Sequence, residues 1–262
     1  MTVRTHAHAL ILGASSCIGR AAALALLEAG VADHFTLTYG SNEEATTALA
    51  LELLENKQVS VIRKNLTLPL WDHHVPAFEY MLGVAADAMN LEISVAINAI
   101  GCSTNIPLEE QTLDGKNGWR STFELHLLSP FLMTRSLVRR MAQKGVRGSI
   151  VHIGSSNGDN SYADYSLPYD LAKGALADMV RNLSETLARG HGIRINGVAP
   201  GWVTTSEAMA PPSEEERLRE TAKIFLGRFA TPKEIGDVVA FLSSEKASYI
   251  VGQTLRVDGG YR

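Results

Sequence analysis

The sequence predicts an α/β fold in which one doubly wound parallel sheet carries helices on both faces. Short apolar runs alternate with longer helix-like stretches along the chain, a pattern typical of strand–helix–strand units. The chain has 262 residues, of which 45% are hydrophobic and 20% are charged, so it can bury both faces of such a sheet. We therefore predict a single domain over residues 1–262.

Seven apolar runs are the candidate strands of this sheet. No internal repeat, low-complexity tract or linker separates them, and the one break in composition, at residues 211–216, need not be a domain boundary. In a doubly wound sheet, ligands bind beyond the carboxyl ends of the strands. The runs are residues 9–12, 35–39, 59–63, 94–98, 150–153, 193–198 and 254–257.

The first run leads into a glycine-rich turn at residues 13–19, which a helix-like stretch at residues 20–29 follows. Such a turn lets the backbone approach a pyrophosphate closely. The N-terminus of the helix offers free N–H groups and the positive end of its dipole to the anion. The turn therefore predicts a Rossmann-type, dinucleotide-binding arrangement.

Tyr169, Lys173 and Ser156 predict proton-transfer chemistry. Tyr169 and Lys173 are four residues apart and share a face if the segment is helical, so the ammonium would lower the phenol pKa from its ordinary value of about 10. Ser156 follows a candidate strand, where its hydroxyl could polarise the same substrate oxygen. A lone Tyr–Lys pair is more often a surface helix pair, so the other motifs must supply the support.

With those motifs, the chain resembles the short-chain dehydrogenase/reductase family over almost its full length. The family's Tyr-x-x-x-Lys pattern matches Tyr169 and Lys173, and its Thr-Gly-x-x-x-Gly-x-Gly pattern resembles residues 12–19. Residues 98–101 match two of the four positions of the family's Asn-Asn-Ala-Gly segment. Further segments that look like family signatures are residues 193–201, 227–235 and 252–260.

The resemblance implies an NAD(P)(H)-dependent oxidoreductase that transfers hydride between nicotinamide C4 and the carbon of a carbonyl or secondary alcohol. Tyr169 would be the general acid or base, and Lys173 would lower its pKa and bind the nicotinamide ribose. Ser156 would orient the substrate oxygen, and His126 would link the site to water. No metal is required. Ketones, acyl thioesters and polyols all remain open as substrates.

The resemblance also assigns the cofactor contacts. They fall in the glycine turn, at the ends of the second, third and fourth candidate strands, in the active-site helix and after the Pro-Gly turn. The residues are Gly13, Ser15, Ser16, Cys17, Ile18, Gly19, Tyr39, Ser41, Asn42, Asn65, Leu66, Asn98, Ala99, Ile100, Gly101, Tyr169, Lys173, Pro200, Gly201, Val203 and Thr205.

The end of the second candidate strand favours NADP(H), with NAD(H) possible. An acidic residue there would bond the ribose 2′-hydroxyl and repel a 2′-phosphate, and none is present. Tyr39, Ser41 and Asn42 instead resemble NADPH-using reductases of the 3-oxoacyl-thioester type. The segment lacks the arginine that would complete a phosphate site.

Three positions depart from the family pattern. Cys17 stands at the second glycine, where a Cβ is expected to strain or widen the turn and weaken pyrophosphate binding. His126 replaces a helix asparagine that holds water; an imidazole with a pKa of about 6.5 could exchange protons itself, or be a packed helix residue. Asn65 replaces an aspartate that touches adenine, and retains an acceptor and a donor.

Cys17 and His126 leave open a second class of function, a cofactor-binding but catalytically idle protein that senses redox state or fills a place in an assembly. A third interpretation is a lyase or epimerase that oxidises its substrate transiently, since related enzymes share the tyrosine and lysine. Those enzymes usually carry an added substrate domain, which we do not expect here.

Charge and composition indicate a soluble cytoplasmic protein with a small-molecule carbonyl or alcohol substrate. The net charge is −4 without a basic cluster, which argues against nucleic acid or an anionic membrane as a partner. No run approaches the roughly 18 apolar residues of a membrane span, and the N-terminus lacks a secretory apolar segment.

Cys17 and Cys102, the only cysteines, are too few for a disulfide framework or a cysteine metal site, so we expect free thiols. The resemblance further implies a homotetramer or homodimer and a substrate-covering segment at about residues 202–228.

Overall fold

A computed structural model describes residues 6–40, 42–55, 60–65, 74–101, 103, 105–159, 163–204 and 213–262. Parallel strands form one seven-stranded sheet in this part of the chain, in the order β3-β2-β1-β4-β5-β6-β7. The strands are β1 (His8–Leu12), β2 (His34–Tyr39), β3 (Ser60–Asn65), β4 (Ile93–Asn98), β5 (Gly148–Ile153), β6 (Ile193–Pro200) and β7 (Thr254–Val257).

Eight α-helices connect and cover these strands within the described ranges. The order of the strands reverses between β1 and β4, which opens a crevice at their carboxyl ends. The prediction of a Rossmann-like α/β fold is confirmed. The helices are α1 (Cys17–Glu28), α2 (Glu43–Leu54), α3 (Val75–Met89), α4 (Trp119–Phe123), α5 (Ser129–Lys144), α6 (Leu167–His191), α7 (Glu214–Thr221) and α8 (Pro232–Ser243).

Hydrophobic cores cover both faces of the sheet. On one face, Leu26 of α1 and Val239 of α8 pack in a cluster with Phe35 of β2. On the other, Phe78 of α3 and Leu137 of α5 join a second cluster. Because both faces are covered, all five residues of β1 are buried, and the four after His8 form one apolar run.

Capping side chains fix where two of the helices begin. The Ser16 side chain accepts a hydrogen bond from the Gly19 N–H at 3.0 Å, so α1 starts at Cys17 rather than at residue 20 as predicted. Helix α8 starts with a capping box in which Thr231 and Glu234 bond each other's backbone N–H. Among the described helices, none combines the length and the apolar character needed to cross a bilayer.

Candidate active site

The glycine turn between β1 and α1 brings backbone against backbone. Gly13 has a φ of +78°, and a Cβ there would lie 2.9 Å from the carbonyl oxygen of Ala99, just after β4. Gly19 has no room either, because its Cβ would collide with the carbonyl oxygen of Gly13. Ser16 closes the turn by donating to that same oxygen at 2.8 Å. Glycine at both positions therefore lets the turn fold tightly on itself and against the end of β4, as a glycine-rich dinucleotide-binding turn requires.

Cys17 does not strain this turn. It is the first residue of α1, and among the described non-glycine residues only Asn90 has a positive φ. The expected backbone strain is therefore absent, because the chain is already helical at this position and a Cβ is tolerated there. Whether the Cys17 side chain alters pyrophosphate affinity remains a prediction.

The turn that carries Ser156 is fastened to α6. Ser156 is buried and opens a 3₁₀ turn at Ser156–Gly158. The next residue, Asn157, donates from its side chain to Asp170 Oδ1 at 3.1 Å, and Ser166 donates to Asp170 Oδ2 at 2.6 Å. Asp170 directly follows Tyr169, so this network ties the serine turn to the first turns of α6, the helix that carries the tyrosine.

A close backbone contact reinforces the same junction. A Cβ on Gly158 would lie 2.6 Å from the backbone nitrogen of Gly174, and a Cβ on Gly174 would lie 2.8 Å from the carbonyl oxygen of Gly158. Gly174 follows Lys173 in α6. Only glycines let the turn and the helix approach this closely.

Lys173 lies between β5 and the tyrosine ring. It is 4% exposed, and its ammonium donates to the carbonyl oxygen of Ile153 at 2.8 Å. The same Nζ lies 5.7 Å from the centroid of the Tyr169 ring. The structure thus brings Tyr169 and Lys173 together on one face of α6.

His126 reaches the same place from a π-helical turn at Glu124–Leu128, between α4 and α5. It is 2% exposed, and its ring packs edge-on against Tyr169, with 5.0 Å between the centroids. Gly101, at a φ of +139°, completes the contact: a Cβ there would lie 2.6 Å from His126 Cε1 and 3.6 Å from Lys173 Nζ. Residues from three segments therefore meet at the tyrosine ring.

His152 is a buried histidine near Lys173 that the sequence motifs did not indicate. His152 of β5 is next to Asn98 of β4, whose side-chain nitrogen is 3.1 Å from His152 Nδ1. Because the Asn98 amide oxygen accepts from the Ile100 N–H, its nitrogen faces the imidazole and can only donate. Thr134 donates to the Pro130 carbonyl, so its hydroxyl oxygen accepts from His152 Nε2 at 3.0 Å.

These partners select the neutral Nε2–H tautomer of His152, since a proton on Nδ1 would face the Asn98 donor. Burial, reinforced by the positive charge of Lys173, lowers the pKa of His152 from 6.5 to about 3. His152 is therefore neutral at physiological pH and holds Asn98 at the carboxyl end of β4. The only signal in the sequence was a histidine inside an apolar run.

A positive charge that the sequence motifs did not indicate lies beside β2, on the neighbouring strand β3. Arg63 of β3 lies 3.6 Å from the Glu43 carboxylate, at the start of α2. Burial, followed by a hydrogen bond and the charge of Glu43, raises the pKa of Tyr39, and the charge of Arg63 opposes this rise. Asn42 caps α2, since its side chain accepts from the Ala45 N–H at 3.0 Å.

The Pro-Gly turn after β6 packs against the C-terminal segment. The N–H of Gly201 bonds the Val257 carbonyl at 3.1 Å, and a Cβ on Gly201 would lie 2.7 Å from the Cβ of Asp258. Val203 forms an isolated parallel bridge with Ala230. Pro200, Gly201 and Val203 thus lie at the carboxyl end of β6. Their contact with the nicotinamide stays a prediction.

Some predicted site residues cannot be placed. Ser41, Leu66 and Thr205 lie outside the described residues, as does Cys102. Asn65 is described only as the last residue of β3, opposite Tyr39. The other predicted residues of the glycine turn, Ser15 and Ile18, are half-buried at the carboxyl end of β1 and the start of α1.

Comparison with known proteins identifies the family. The profile of the family described as "Enoyl-(Acyl carrier protein) reductase" matches residues 13–262. The chain belongs to the short-chain dehydrogenase/reductase family. The resemblance inferred from the motifs is thereby confirmed, and with it membership of a family of oxidoreductases that use nicotinamide cofactors.

Relatives within this family span the whole chain. A cis-4-hydroxycyclohexanecarboxylate dehydrogenase of Sinomonas cyclohexanicum is 33% identical over 97% of this chain and 95% of its own length. A 3-oxoacyl-[acyl-carrier-protein] reductase of Rickettsia prowazekii is 32% identical over 96% and 95%. The crystal structure of acetoin dehydrogenase YohF from Salmonella typhimurium, 28% identical, superposes with a TM-score of 0.82 over 98% of this chain and 96% of that one.

Proposed function

We propose that this protein is an NADPH-dependent ketoreductase in which Tyr169 exchanges the proton of the substrate oxygen. The observation that carries the proposal is the meeting of Tyr169, Lys173 and His126 at the carboxyl ends of the strands, at the same edge of the sheet as the glycine turn. Ligands of doubly wound sheets bind at this edge.

The cofactor site is proposed on the fit of the glycine turn. Gly13 and Gly19 let the turn fold tightly, and α1 begins just after it, so the free N–H groups of the first turn of α1 would bind the pyrophosphate. When bound there, the nicotinamide supplies or accepts the hydride. Gly101, Pro200 and Val203 would line the nicotinamide end of the same crevice.

Each residue then has a distinct role in proton transfer. The phenol of Tyr169 donates a proton to the carbonyl oxygen in reduction and removes it in oxidation. The ammonium of Lys173 stabilises the phenolate that this leaves, and the backbone carbonyl of Ile153 holds that ammonium in place. The Ser156 hydroxyl orients the substrate oxygen. His126 relays a proton from solvent to the phenolate after reduction, and from the phenol to solvent after oxidation.

The relatives support an alcohol–carbonyl couple without selecting one substrate. Their names specify a hydroxycyclohexanecarboxylate, a 3-oxoacyl carrier protein and acetoin, which differ in size and charge. What these names share is a carbon that bears oxygen. We therefore propose the reaction class, and a panel of ketones and 3-oxoacyl thioesters as the substrates to screen.

NADP(H) is the proposed cofactor because no carboxylate ends β2 and a guanidinium lies nearby. Tyr39 and Gly40 stand where an acidic residue would oppose a 2′-phosphate, and Arg63 lies on the adjacent strand. NAD(H) is the second candidate, since Glu43 offsets part of the positive charge of Arg63.

Tyr169→Phe tests the proposal directly. Removal of the phenol hydroxyl should lower turnover about 10²–10⁴-fold, because it deletes the general acid while leaving the ring packed against His126. Turnover is followed by the absorbance of the reduced nicotinamide. NADPH and NADH binding is measured separately by the shift of the thermal unfolding midpoint, and should be unchanged by the substitution.

Tyr165→Phe is the matched control, since Tyr165 is 45% exposed in the 3₁₀ turn just before α6. This substitution also removes a phenolic hydroxyl, four residues before Tyr169, and should leave turnover unchanged. Equal turnover in Tyr169→Phe and the wild-type protein would show that the proton comes from elsewhere.

A further inference from the structure

Two histidines and one aspartate meet at the edge of the sheet opposite the active site. Asp33 and His34 lie where β2 begins, and His6 lies two residues before β1. Because β1 and β2 are parallel, with His8 opposite His34, both strands start at this edge. None of the three residues has a role in the proposed proton transfer.

Their potential ligand atoms already converge. His6 Nδ1 lies 2.6 Å from Asp33 Oδ2, and His34 Nδ1 lies 2.7 Å from Asp33 Oδ1. One nitrogen from each imidazole and one carboxylate oxygen all lie within 4.8 Å of one another. The two rings stand nearly perpendicular, with 5.8 Å between the centroids.

The carboxylate at the centre is fixed before any ligand arrives. Asp33 is 8% exposed, and its Oδ1 also accepts from the Ala7 N–H at 3.2 Å. Hydrogen bonds with both imidazoles and from this backbone N–H hold the carboxylate in one orientation between the two rings.

This donor set matches the preferences of zinc. Zn²⁺ binds imidazole nitrogen and carboxylate oxygen at about 2.0–2.2 Å, commonly with three protein ligands and a water. A tetrahedral site needs neighbouring donors about 3.3 Å apart. The two His–Asp pairs, which use different carboxylate oxygens at 2.6 and 2.7 Å, must each open by less than about 1 Å, and any donor pair near 4.8 Å must close. The His6 side chain is 73% exposed and can make this movement.

The next histidine along the strand is excluded from the set. His8 is fully buried, its Nδ1 lies 2.9 Å from the Leu91 carbonyl oxygen, and its Nε2 lies 2.8 Å from the Thr36 hydroxyl. Both of its nitrogens are already in use within the core. The site therefore consists of His6, Asp33 and His34.

We propose that His6, Asp33 and His34 bind one divalent late transition-metal ion, zinc in particular, where β1 and β2 begin, with water in the fourth position. The metal replaces the hydrogen-bonding protons of the two Nδ1 atoms and ties the segment before β1 to the start of β2. A ligand that binds only the folded state raises its stability. The site is independent of the proposed reaction.

The test uses protein without a histidine tag, treated with chelator and then titrated with ZnCl₂. Isothermal titration should give one equivalent of zinc, and the thermal unfolding midpoint should rise and saturate. MgCl₂ should have no effect, because Mg²⁺ prefers an all-oxygen shell. Co²⁺ in place of zinc should give the visible absorption bands of a tetrahedral nitrogen–oxygen site.

His6→Ala is the decisive variant, since this exposed side chain can be removed without disturbing the core. It should weaken zinc binding at least tenfold and remove the Co²⁺ bands, and Asp33→Asn should do the same. His191→Ala, at the exposed end of α6, is the matched control and should bind zinc like the wild-type protein.

Two results would overturn the proposal. One is the absence of a zinc-dependent shift in the wild-type protein. The other is an equal zinc-dependent shift of the unfolding midpoint in the wild-type protein and His6→Ala. That result would place the zinc elsewhere and leave the three residues with hydrogen bonding as their only role.

Discussion

His152→Asn should make the stability of the protein less sensitive to acid. In the folded state the pKa of His152 is about 3, whereas an exposed histidine titrates near 6.5. On acidification the unfolded chain therefore takes up the proton first. Stability from the neutral imidazole is complete above about pH 6.5 and is lost as the pH falls towards about 3.

The size of the effect follows from this window. Below about pH 6.5, each unit of pH costs just over 1 kcal/mol, so acidification from about pH 7 to about pH 5 should cost about 2 kcal/mol through this one group. Asparagine does not titrate and keeps an acceptor facing Asn98. It loses the bond to Thr134 and leaves a small void, which should cost about 1–3 kcal/mol at neutral pH.

Urea unfolding of both proteins at the two pH values measures the difference. Other groups with a lowered pKa, His8 and Asp33 among them, are present in both proteins and cancel. The wild-type protein should lose about 2 kcal/mol more than His152→Asn between the two conditions. If both proteins lost the same free energy of unfolding, the neutral tautomer of His152 and the hydrogen bonds that select it would be refuted.

Two further substitutions test the site. Gly101→Ala places a methyl group 2.6 Å from His126 Cε1 at a φ of +139°, so kcat/KM should fall about 100-fold. Gly115→Ala, at a φ of +106° with nothing within 4 Å, should keep activity, and similar losses in both would point to backbone strain alone. Arg63→Gln should weaken NADPH binding about tenfold and leave NADH binding unchanged, because only NADPH carries the 2′-phosphate. Arg139→Gln, on the exposed face of α5, is the control. An equal effect of Arg63→Gln on both cofactors would exclude Arg63 from phosphate binding.

The fold could be predicted because strands covered on both faces read as apolar runs. The run at 9–12 became β1, one residue longer, and the run at 254–257 became β7. The predicted start of α1, residue 20, is three residues too late. The capping residue, Ser16, belongs to the glycine turn, and hydrophobic periodicity does not reveal a cap.

Within the candidate site, local motifs could be read and distant pairings could not. Tyr169 and Lys173 share a face because one helix turn separates them. His152 meets Asn98 and Thr134, which are 54 and 18 residues away, only through the strand order and the packing of α5. The cluster around Asp33 likewise depends on the register of β1 against β2.

The Gly158–Gly174 contact has a consequence for how the protein moves. The turn that carries Ser156 touches α6 backbone to backbone, and α6 is 25 residues long and leads directly into β6. A segment bound in this way cannot open without disturbing the centre of the domain. We expect the amides of this junction to exchange with solvent as slowly as those of β5. Heating should then abolish catalysis only at the temperature where the whole sheet melts.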